Sequence, residues 1–522
     1  MEANPLLNKR LYGRSLAVIL FVTLSVAGMI FSVYLFYIAN SIYMYLLAAL
    51  FTLLSLIAGF FNIYASIWYF RSFFYDKYLA KIKRGLPKLT SFPRVAVAVP
   101  VYNEDPKMVE RNLTKLLELK YPKDKIRFYL LDDSTDKQIS SELAKICKKL
   151  KVEFLHRDTR QGFKAGALNS MLKVSKEEFI AVFDADESLI DKGFVLDLLP
   201  YLTDKQVSYV QTEKKYTRYS FFSDSVDIFD AFFFKFIQPA RALNNTAVFA
   251  GSCGLIRRSA LDSIGGFPEY VIEDTFFSFE SDLHNFKSMY VPKVYALGRP
   301  IKTFTELVKQ QWRYNYGDTQ FISYFFKRKG DYPKGTSITH LLANMDYITH
   351  GFGLNYLSIV LILFTFASIG VVFTALPFAH ISVSNFFSGS QLPVYLEILG
   401  FLAFTLSLLT PVLLTKIYFK SFKKGFMVFL LNYALAFVRT KAAIATLANM
   451  NPGINWNRSK LPTEARHLGY SLTNTKSEIA FASIMFGLSA FALSVSNLAG
   501  GIWLLWYGIL YSLATILLYK YG

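Results

Sequence analysis

An α/β domain with a mostly parallel sheet, set between two groups of membrane-spanning helices, is the architecture the sequence predicts. Three observations carry it. Long uncharged apolar runs occupy both ends of the 522-residue chain. Between them, short β-branched runs alternate with amphipathic charged stretches, the pattern of a parallel sheet with helices on both faces. Acidic pairs directly follow two of those runs, where ligands bind in such sheets.

The N-terminal pair comes first. Ser15–Ala39 and Tyr43–Phe70 contain no charge, and each exceeds the roughly 20 residues needed to span a bilayer. Lys9, Arg10 and Arg14 precede them, and Arg71, Lys77, Lys81, Lys83 and Arg84 follow. Basic flanks on both sides place both ends of the pair in the cytoplasm. Residues 1–75 therefore read as two transmembrane helices. The first run is too long for a signal-peptide core.

Residues 93–340 read as the α/β domain. Arg94–Val101, Ile126–Leu131 and Phe179–Phe183 are expected strands, and Pro106–Leu119 and Ser140–Leu150 expected helices. Tyr219–Asn244 is aromatic and amphipathic. It fits a helix in the core of its own domain, or one that docks the domain over the spans at the membrane surface.

Residues 345–522 return to the membrane. Gly351–Pro377, Pro393–Leu414, Ile479–Leu498 and Ile502–Leu518 are candidate spans. Gly425–Met450 is long enough, but it carries Arg439 and Lys441. As a span it would leave both charges on the outer side, so it reads as an interfacial or re-entrant helix. A cytosolic loop, residues 451–476, follows. The parity closes with six spans and with the termini and α/β domain inside. A multi-pass protein of the plasma membrane is expected.

Composition agrees. The chain is 53% hydrophobic, too apolar for a soluble protein. Its net charge of +19 admits nucleic acid, anionic lipid or a phosphate-bearing substrate. Cytoplasmic Lys and Arg of a membrane protein account for the excess, so membrane lipids and not nucleic acid are the expected partners. Two cysteines, Cys147 and Cys253, exclude a disulfide framework and a Cys-rich metal site.

Four polar features carry candidate chemistry: Asp132-Asp133-Ser134-Thr135-Asp136, Asp184-Ala185-Asp186-Glu187, Glu273-Asp274, and Gln310-Gln311-Trp312-Arg313-Tyr314. An Asp-x-Asp alone is most often a solvated turn. At a strand's carboxyl end it can hold a hard divalent cation such as Mg²⁺ or Mn²⁺. Such an ion neutralises charge on a nucleotide diphosphate. Glu273-Asp274 also fits an acidic pair at a helix N-terminus. No Gly-x-x-x-x-Gly-Lys pattern is present, which argues against kinase-like phosphate binding.

The motifs in order are Val97-Ala-Val-Pro-Val-Tyr-Asn-Glu104, Leu131-Asp-Asp-Ser-Thr-Asp136, Arg160-Gln-Gly-Phe-Lys-Ala-Gly-Ala-Leu-Asn169, Phe183-Asp-Ala-Asp186, Gly251-Ser-Cys-Gly254, Ile272-Glu-Asp274 and Gln310-Gln-Trp-Arg-Tyr314. With them, residues 94–316 resemble the GT-A domain of glycosyltransferase family 2 in its membrane synthase branch. That branch includes cellulose, hyaluronan and glucomannan synthases and, more distantly, ceramide glucosyltransferase. The resemblance implies a GT-A fold and an inverting, metal-dependent hexosyltransferase using a UDP- or GDP-sugar. Pro100, Tyr102, Glu104, Asp132 and Asp133 would hold the nucleobase and ribose, and Lys164 would face the diphosphate. Asp184 and Asp186 would hold Mg²⁺ or Mn²⁺. Asp274, beside Glu273, would be the general base. Gln310 and Arg313 would bind the diphosphate, and Trp312 or Tyr314 would border the acceptor.

Two residues depart from the pattern. Tyr314 replaces the final Trp of Gln-x-x-Arg-Trp, and Ile272 stands where many relatives have Thr. Both leave the acceptor open: a growing polysaccharide, with or without translocation through the spans, or a membrane lipid that receives one sugar. Asn455-Trp-Asn-Arg-Ser-Lys460 sits where relatives have a gating loop, and a plain basic loop fits it equally. A non-enzymatic transporter would require Asp184, Asp186 and Asp274 to be dispensable, and the spans lack the intramembrane carboxylates common in ion-coupled carriers.

Overall fold

The computed structural model describes residues 70–333, 335–336, 410–450, 468–495 and 498–522, with scattered positions between 22 and 68 and between 358 and 369. The expected spans Ser15–Ala39, Tyr43–Phe70, Gly351–Pro377 and Pro393–Leu414 lie largely outside these residues, as does the loop Asn455–Lys460.

A helix, α1 (Tyr75–Gly85), leads into the sheet domain and buries Tyr75 and Leu79 against it. Then β1 (Val95–Val101), α2 (Pro106–Leu116), β2 (Ile126–Asp132), α3 (Lys137–Leu150), β3 (Glu153–His156), α4 (Phe163–Val174) and β4 (Phe179–Val182) alternate as expected. The helices begin where the sequence supplies caps. Asp105 accepts from Lys107 N with Pro106 in the first turn, and Asp136 accepts from Gln138 N.

After β4 the chain is more irregular: β5 (Ser188–Leu189), α5 (Phe194–Leu198), β6 (Val207–Thr212), β7 (Lys215–Tyr216), α6 (Phe221–Phe232), a π-helical turn Phe233–Ile237, α7 (Gln238–Ala242), β8 (Gly254–Arg257), α8 (Arg258–Ile264), α9 (Glu273–Leu283), β9 (Lys287–Val291), β10 (Ala296–Gly298) and α10 (Phe304–Arg328). The main sheet runs β3-β2-β1-β4-β8-β6-β9, and β5-β10-β7 form a small second sheet. β1 pairs in parallel with β2, from Val95↔Ile126 to Val101↔Asp132, and with β4. Only β8 runs against its neighbours in this sheet.

The buried alternation of β1 shows why the strand is apolar throughout. Val95, Val97 and Val99 pack with Leu113 and Leu116 of α2 and Leu143 of α3. Ala96 and Ala98 pack with Leu168 and Met171 of α4 and with Phe277 of α9 on the other face. With helices on both faces, the loops after β1, β2 and β4 gather at one sheet edge.

The C-terminal part holds α11 (Thr410–Phe419), α12 (Phe422–Ala434), α13 (Ala436–Leu447), α14 (Leu468–Asn474), α15 (Lys476–Ser494) and α16 (Leu498–Tyr521). Among the described residues, two helices are long and apolar enough to cross a membrane: Lys476–Ser494 and Gly501–Tyr521. They pack through Phe481, Met485, Leu504, Tyr507 and Tyr511. Gly425–Met450 is not one straight helix. It falls in the pair α12–α13, bent by 43° around Leu435.

Tyr219–Asn244 contacts both the sheet domain and the C-terminal helices. Phe234 enters the sheet domain's core. Phe222 and Val226 pack on Leu431 and Leu435 of the bent pair and Leu517 and Leu518 of α16. The Phe222 ring stacks on Tyr521 at 4.7 Å, and Lys424 Nζ lies 2.9 Å from Asp224 Oδ2.

Candidate active site

One cleft of about 210 Å³ collects nearly all the motif residues at the carboxyl ends of the strands. The loops after β1 and β2 form its first wall. Asn103 adopts a positive φ of 50°, which Asn tolerates better than most residues. Its amide nitrogen donates to Thr135 Oγ1 at 2.9 Å, and its carbonyl accepts from Asp136 N at 3.0 Å. The two loops are thereby clipped together. Pro100, Tyr102 and Glu104 face the cleft. The Arg160 guanidinium lies over the Tyr102 ring at 3.6 Å, making an edge suited to a flat base.

Asp132 and Asp133 do not act as a pair. Asp133 lines the cleft and accepts from Arg157 Nε at 2.7 Å and Nη2 at 2.5 Å. Asp132 is fully buried, and its oxygens accept from Ser140 Oγ at 2.5 Å and Ser134 N at 3.0 Å and lie 2.8 Å from His156 Nδ1. It ties β2, β3 and α3 together outside the cleft lining. Both acids were expected at the nucleoside; Asp133 lines the cleft and Asp132 does not.

The second wall is charged. Lys164 follows Gly162, which opens α4 at φ 71°. Lys164 Nζ donates to Asp184 Oδ1 at 2.5 Å and to Gly251 O at 2.8 Å. It also lies 3.9 Å from Glu273 Oε1. Lys214, just beyond β6, approaches Asp184 Oδ2 at 3.2 Å and Glu187 Oε1 at 3.4 Å. Burial alone would raise the Asp184 pKa, but the two ammonium groups outweigh it and hold this carboxyl well below the usual range. Glu187 shapes the turn by accepting from Asp184 N at 2.9 Å and Ser252 Oγ at 2.7 Å. No sequence motif marks Lys214 or Tyr216, yet both line the cleft. The signal was a lysine placed two residues after a buried strand.

Asp184 and Asp186 both reach the cleft and offer hard oxygen donors. Among the described residues, no three His, Cys, Asp or Glu side chains gather around one point. A two-carboxylate set fits Mg²⁺ or Mn²⁺ of the kind that takes its remaining ligands from substrate phosphates and water.

Glu273 and Asp274 open α9, where the helix dipole favours negative charge. Thr275 N donates to Asp274 Oδ1 at 2.8 Å. Burial nevertheless raises the Asp274 pKa, against that bond and against Lys164 and Arg313. Burial and the neighbouring Asp274 charge push Glu273 up to about 7. The pair starts a helix and lines the cleft.

Gln310, Arg313 and Tyr314 of α10 close the cleft opposite β4. Their spacing of three and four places them on one helix face. Trp312 is on the other. It packs with Val271, Tyr316, Ala442 and Ala445, so the structure assigns it to the contact with α13 and leaves Tyr314 at the cleft.

The family model described as "Glycosyl transferase family 2" matches residues 96–265. The chain is 30% identical over 238 residues to the UDP-forming cellulose synthase catalytic subunit of Pseudomonas fluorescens, covering 44% of this chain and 32% of that protein. It is 32% identical over 251 residues to a beta-monoglucosyldiacylglycerol synthase of Nostoc, covering 45% of this chain and 51% of that protein. A solved mannosyltransferase from Pyrobaculum calidifontis, in complex with GDP-Man and Mn²⁺, aligns with a TM-score of 0.47 at 18% identity, covering 76% of this chain and 100% of that one. The chain spans about a third to a half of the length of these two curated relatives. Residues 96–265, which supply the strand-end loops of the cleft, form a glycosyl transferase family 2 domain.

Proposed function

We propose that the chain is an inverting membrane glycosyltransferase that moves a sugar from a UDP- or GDP-sugar to a growing polysaccharide. The observation that carries this is one cleft lined by a half-buried carboxylate, Asp274, and by the cations Lys164, Lys214 and Arg313. Direct displacement at a sugar carbon asks for that polarity: a base at the acceptor and positive charge at the departing diphosphate.

Each residue then has a role. Tyr102, Glu104, Asp133 and Arg160 receive the nucleoside. Asp274 takes the proton of the acceptor hydroxyl as its oxygen bonds to the anomeric carbon, and the nucleoside diphosphate leaves on the opposite face. Lys164, Lys214, Gln310 and Arg313 hold the diphosphate and offset the charge it gains. Glu273, close to Lys164, orients that ammonium. Mg²⁺ or Mn²⁺ held by Asp184 and Asp186 would supply further positive charge to the diphosphate. Tyr314 borders the acceptor. The catalytic domain faces the cytosol, and the apolar helices anchor it in the plasma membrane.

A second reading keeps the same chemistry and stops after one sugar on a membrane lipid. The similarity to the Nostoc glycolipid synthase supports it, as that to the cellulose synthase supports the polymer. The test is a panel of UDP- and GDP-sugars with detergent-solubilised protein, reading released nucleoside diphosphate and product size together. A ladder supports the polymer, and one organic-soluble product supports the lipid. Full turnover by Asp274→Asn would overturn the base assignment.

A further inference from the structure

We infer that Arg439 is a positioning residue that ties the bent pair α12–α13 to the cleft helix α10, and so sets how Gln310, Arg313 and Tyr314 are presented. The inference rests on the cleft reading given above and extends it to a residue outside the cleft.

Arg439 is 2% exposed. Its Nε and Nη2 donate to Gln311 Oε1 at 3.3 and 3.1 Å, and its Nη1 donates to Asn432 Oδ1 at 2.9 Å. Among the described residues no carboxylate pairs with it. Burying a guanidinium costs several kcal/mol, and neutral amide oxygens repay less of that than a carboxylate would. An apolar side chain of similar size would be the more stable filler there. A buried charge in such a place is best explained as a register device.

The three partners define what is registered. Gln311 belongs to α10, Asn432 to α12 and Arg439 to α13, so one side chain spans both the helix contact and the bend. Neither proline nor glycine occurs in residues 426–450. Sharp bends without those residues come from side chains that interrupt the ladder or from outside contacts. The Arg439–Asn432 bond crosses the 43° break and is positioned to fix its angle.

The opposite face of α10 gives the consequence. Gln310, Arg313 and Tyr314 look into the cleft, whereas Gln311, Trp312, Asn315 and Tyr316 look away from it. Trp312 and Tyr316 pack on Ala442 and Ala445. Thr446 Oγ1 donates to Tyr316 O at 3.2 Å, and Tyr316 OH donates to Met450 O at 2.8 Å. A rotation of α10 that released one face would turn the other. Phe163, next to Lys164, packs against the same cluster. The bent pair thus packs on α10 and shares a cluster with Phe163 without lining the cleft.

The test compares full-length wild type, Arg439→Met, Arg439→Lys, Gln311→Leu and the Met/Leu double variant in detergent. Readouts are the thermal midpoint, hydrogen exchange over residues 304–328, and kcat and KM with the UDP- and GDP-sugar panel. Hydrogen bonds to a charged group are among the stronger ones, so exchange in α10 should rise about tenfold or more in Arg439→Met. The kcat should fall about tenfold with donor KM within about twofold, the mark of lost transition-state alignment. Arg439→Lys should recover part of both. Gln311→Leu should match Arg439→Met, and the double variant should be no worse than either. Unchanged α10 exchange, or losses that multiply in the double variant, would overturn the inference. Should Arg439→Met fail to fold, Gln311→Leu decides by the same criteria. Absence of turnover by wild type on the whole panel counts against the proposed function, while α10 exchange still judges the positioning role.

Discussion

A Cβ on Gly251 would lie 3.1 Å from Asp274 Oδ2 and 3.6 Å from Lys164 Nζ. Gly251 also has φ 79°, a backbone conformation L-residues rarely adopt. Its carbonyl accepts from Lys164. The residue is therefore glycine for two reasons, space beside the proposed base and backbone geometry that aims a carbonyl at Lys164. Gly251→Ala is expected to strain this turn by about 1–2 kcal/mol and to push Asp274 off line. Turnover should fall at least about tenfold, because small misplacements at reacting groups are amplified. Steady-state kinetics alongside a thermal melt checks it. Wild-type kcat would show that Asp274 tolerates the methyl group.

Lys214 gives a second expectation. Its ammonium shares Asp184 with Lys164 and contacts Glu187. Lys214→Met removes one of two cations beside a carboxylate, so Asp184 becomes easier to protonate and diphosphate charge is less well offset. Removing one preorganised charge-stabilising group costs about a hundredfold in kcat. Binding of UDP and GDP, measured by calorimetry, should weaken more than binding of the uncharged nucleosides. Equal losses for nucleosides would place Lys214 away from the phosphates.

The acidic limb of the pH profile follows from the Glu273-Asp274 pair. Burial favours the protonated form of both, with Glu273 pushed up to about 7 and Asp274 raised. A base works only when ionised, and burial raises the Asp274 pKa, so kcat/KM should rise with pH on the acid side and flatten once Asp274 is ionised. In Glu273→Gln, Asp274 loses a neighbouring carboxyl that competes with it for ionisation. The limb should move to lower pH. A limb that stays in place would separate Glu273 from the titration that controls the reaction. Asp274→Asn should lose the turnover that defines the limb altogether.

Much of this site was legible in the sequence because each strand that ends in a polar motif delivers it to the same sheet edge. Val97–Glu104, Asp184–Asp186 and Gln310–Tyr314 meet in one cleft although they are far apart in the chain. What the motifs hid was direction. Asp132 and Asp133 alternate across a strand end, and Trp312 lies on the helix face opposite Gln310 and Arg313. Both follow from periods of two and 3.6 residues that the motif alone does not display. Lys214 was illegible for a different reason. The residues that pair with it, Asp184 and Glu187, reach it only because β8 inserts antiparallel between β4 and β6. That is a tertiary fact without a local signature. Arg439 was visible as an awkward charge in an apolar segment, but its partner on α10 was not.

The seam between α6 and the C-terminal helices separates two kinds of contact by size. Phe222 is fully buried, stacked on Tyr521 and packed on Leu431 and Leu517. Asp224 pairs with Lys424 at 2.9 Å, with side-chain exposures of 21% and 30%. Truncating a buried phenylalanine costs about 3–5 kcal/mol. A partly exposed ion pair is worth roughly 1 kcal/mol or less, and salt weakens it further. Phe222→Ala should therefore lower the thermal midpoint clearly and loosen α6 in hydrogen exchange, whereas Asp224→Asn should change it little at 0.15 M salt. The cleft residues lie outside this seam, so nucleotide affinity of folded Phe222→Ala should remain near wild type. A reversal of the two effects would mean that charge, and not apolar packing, holds the sheet domain on these helices.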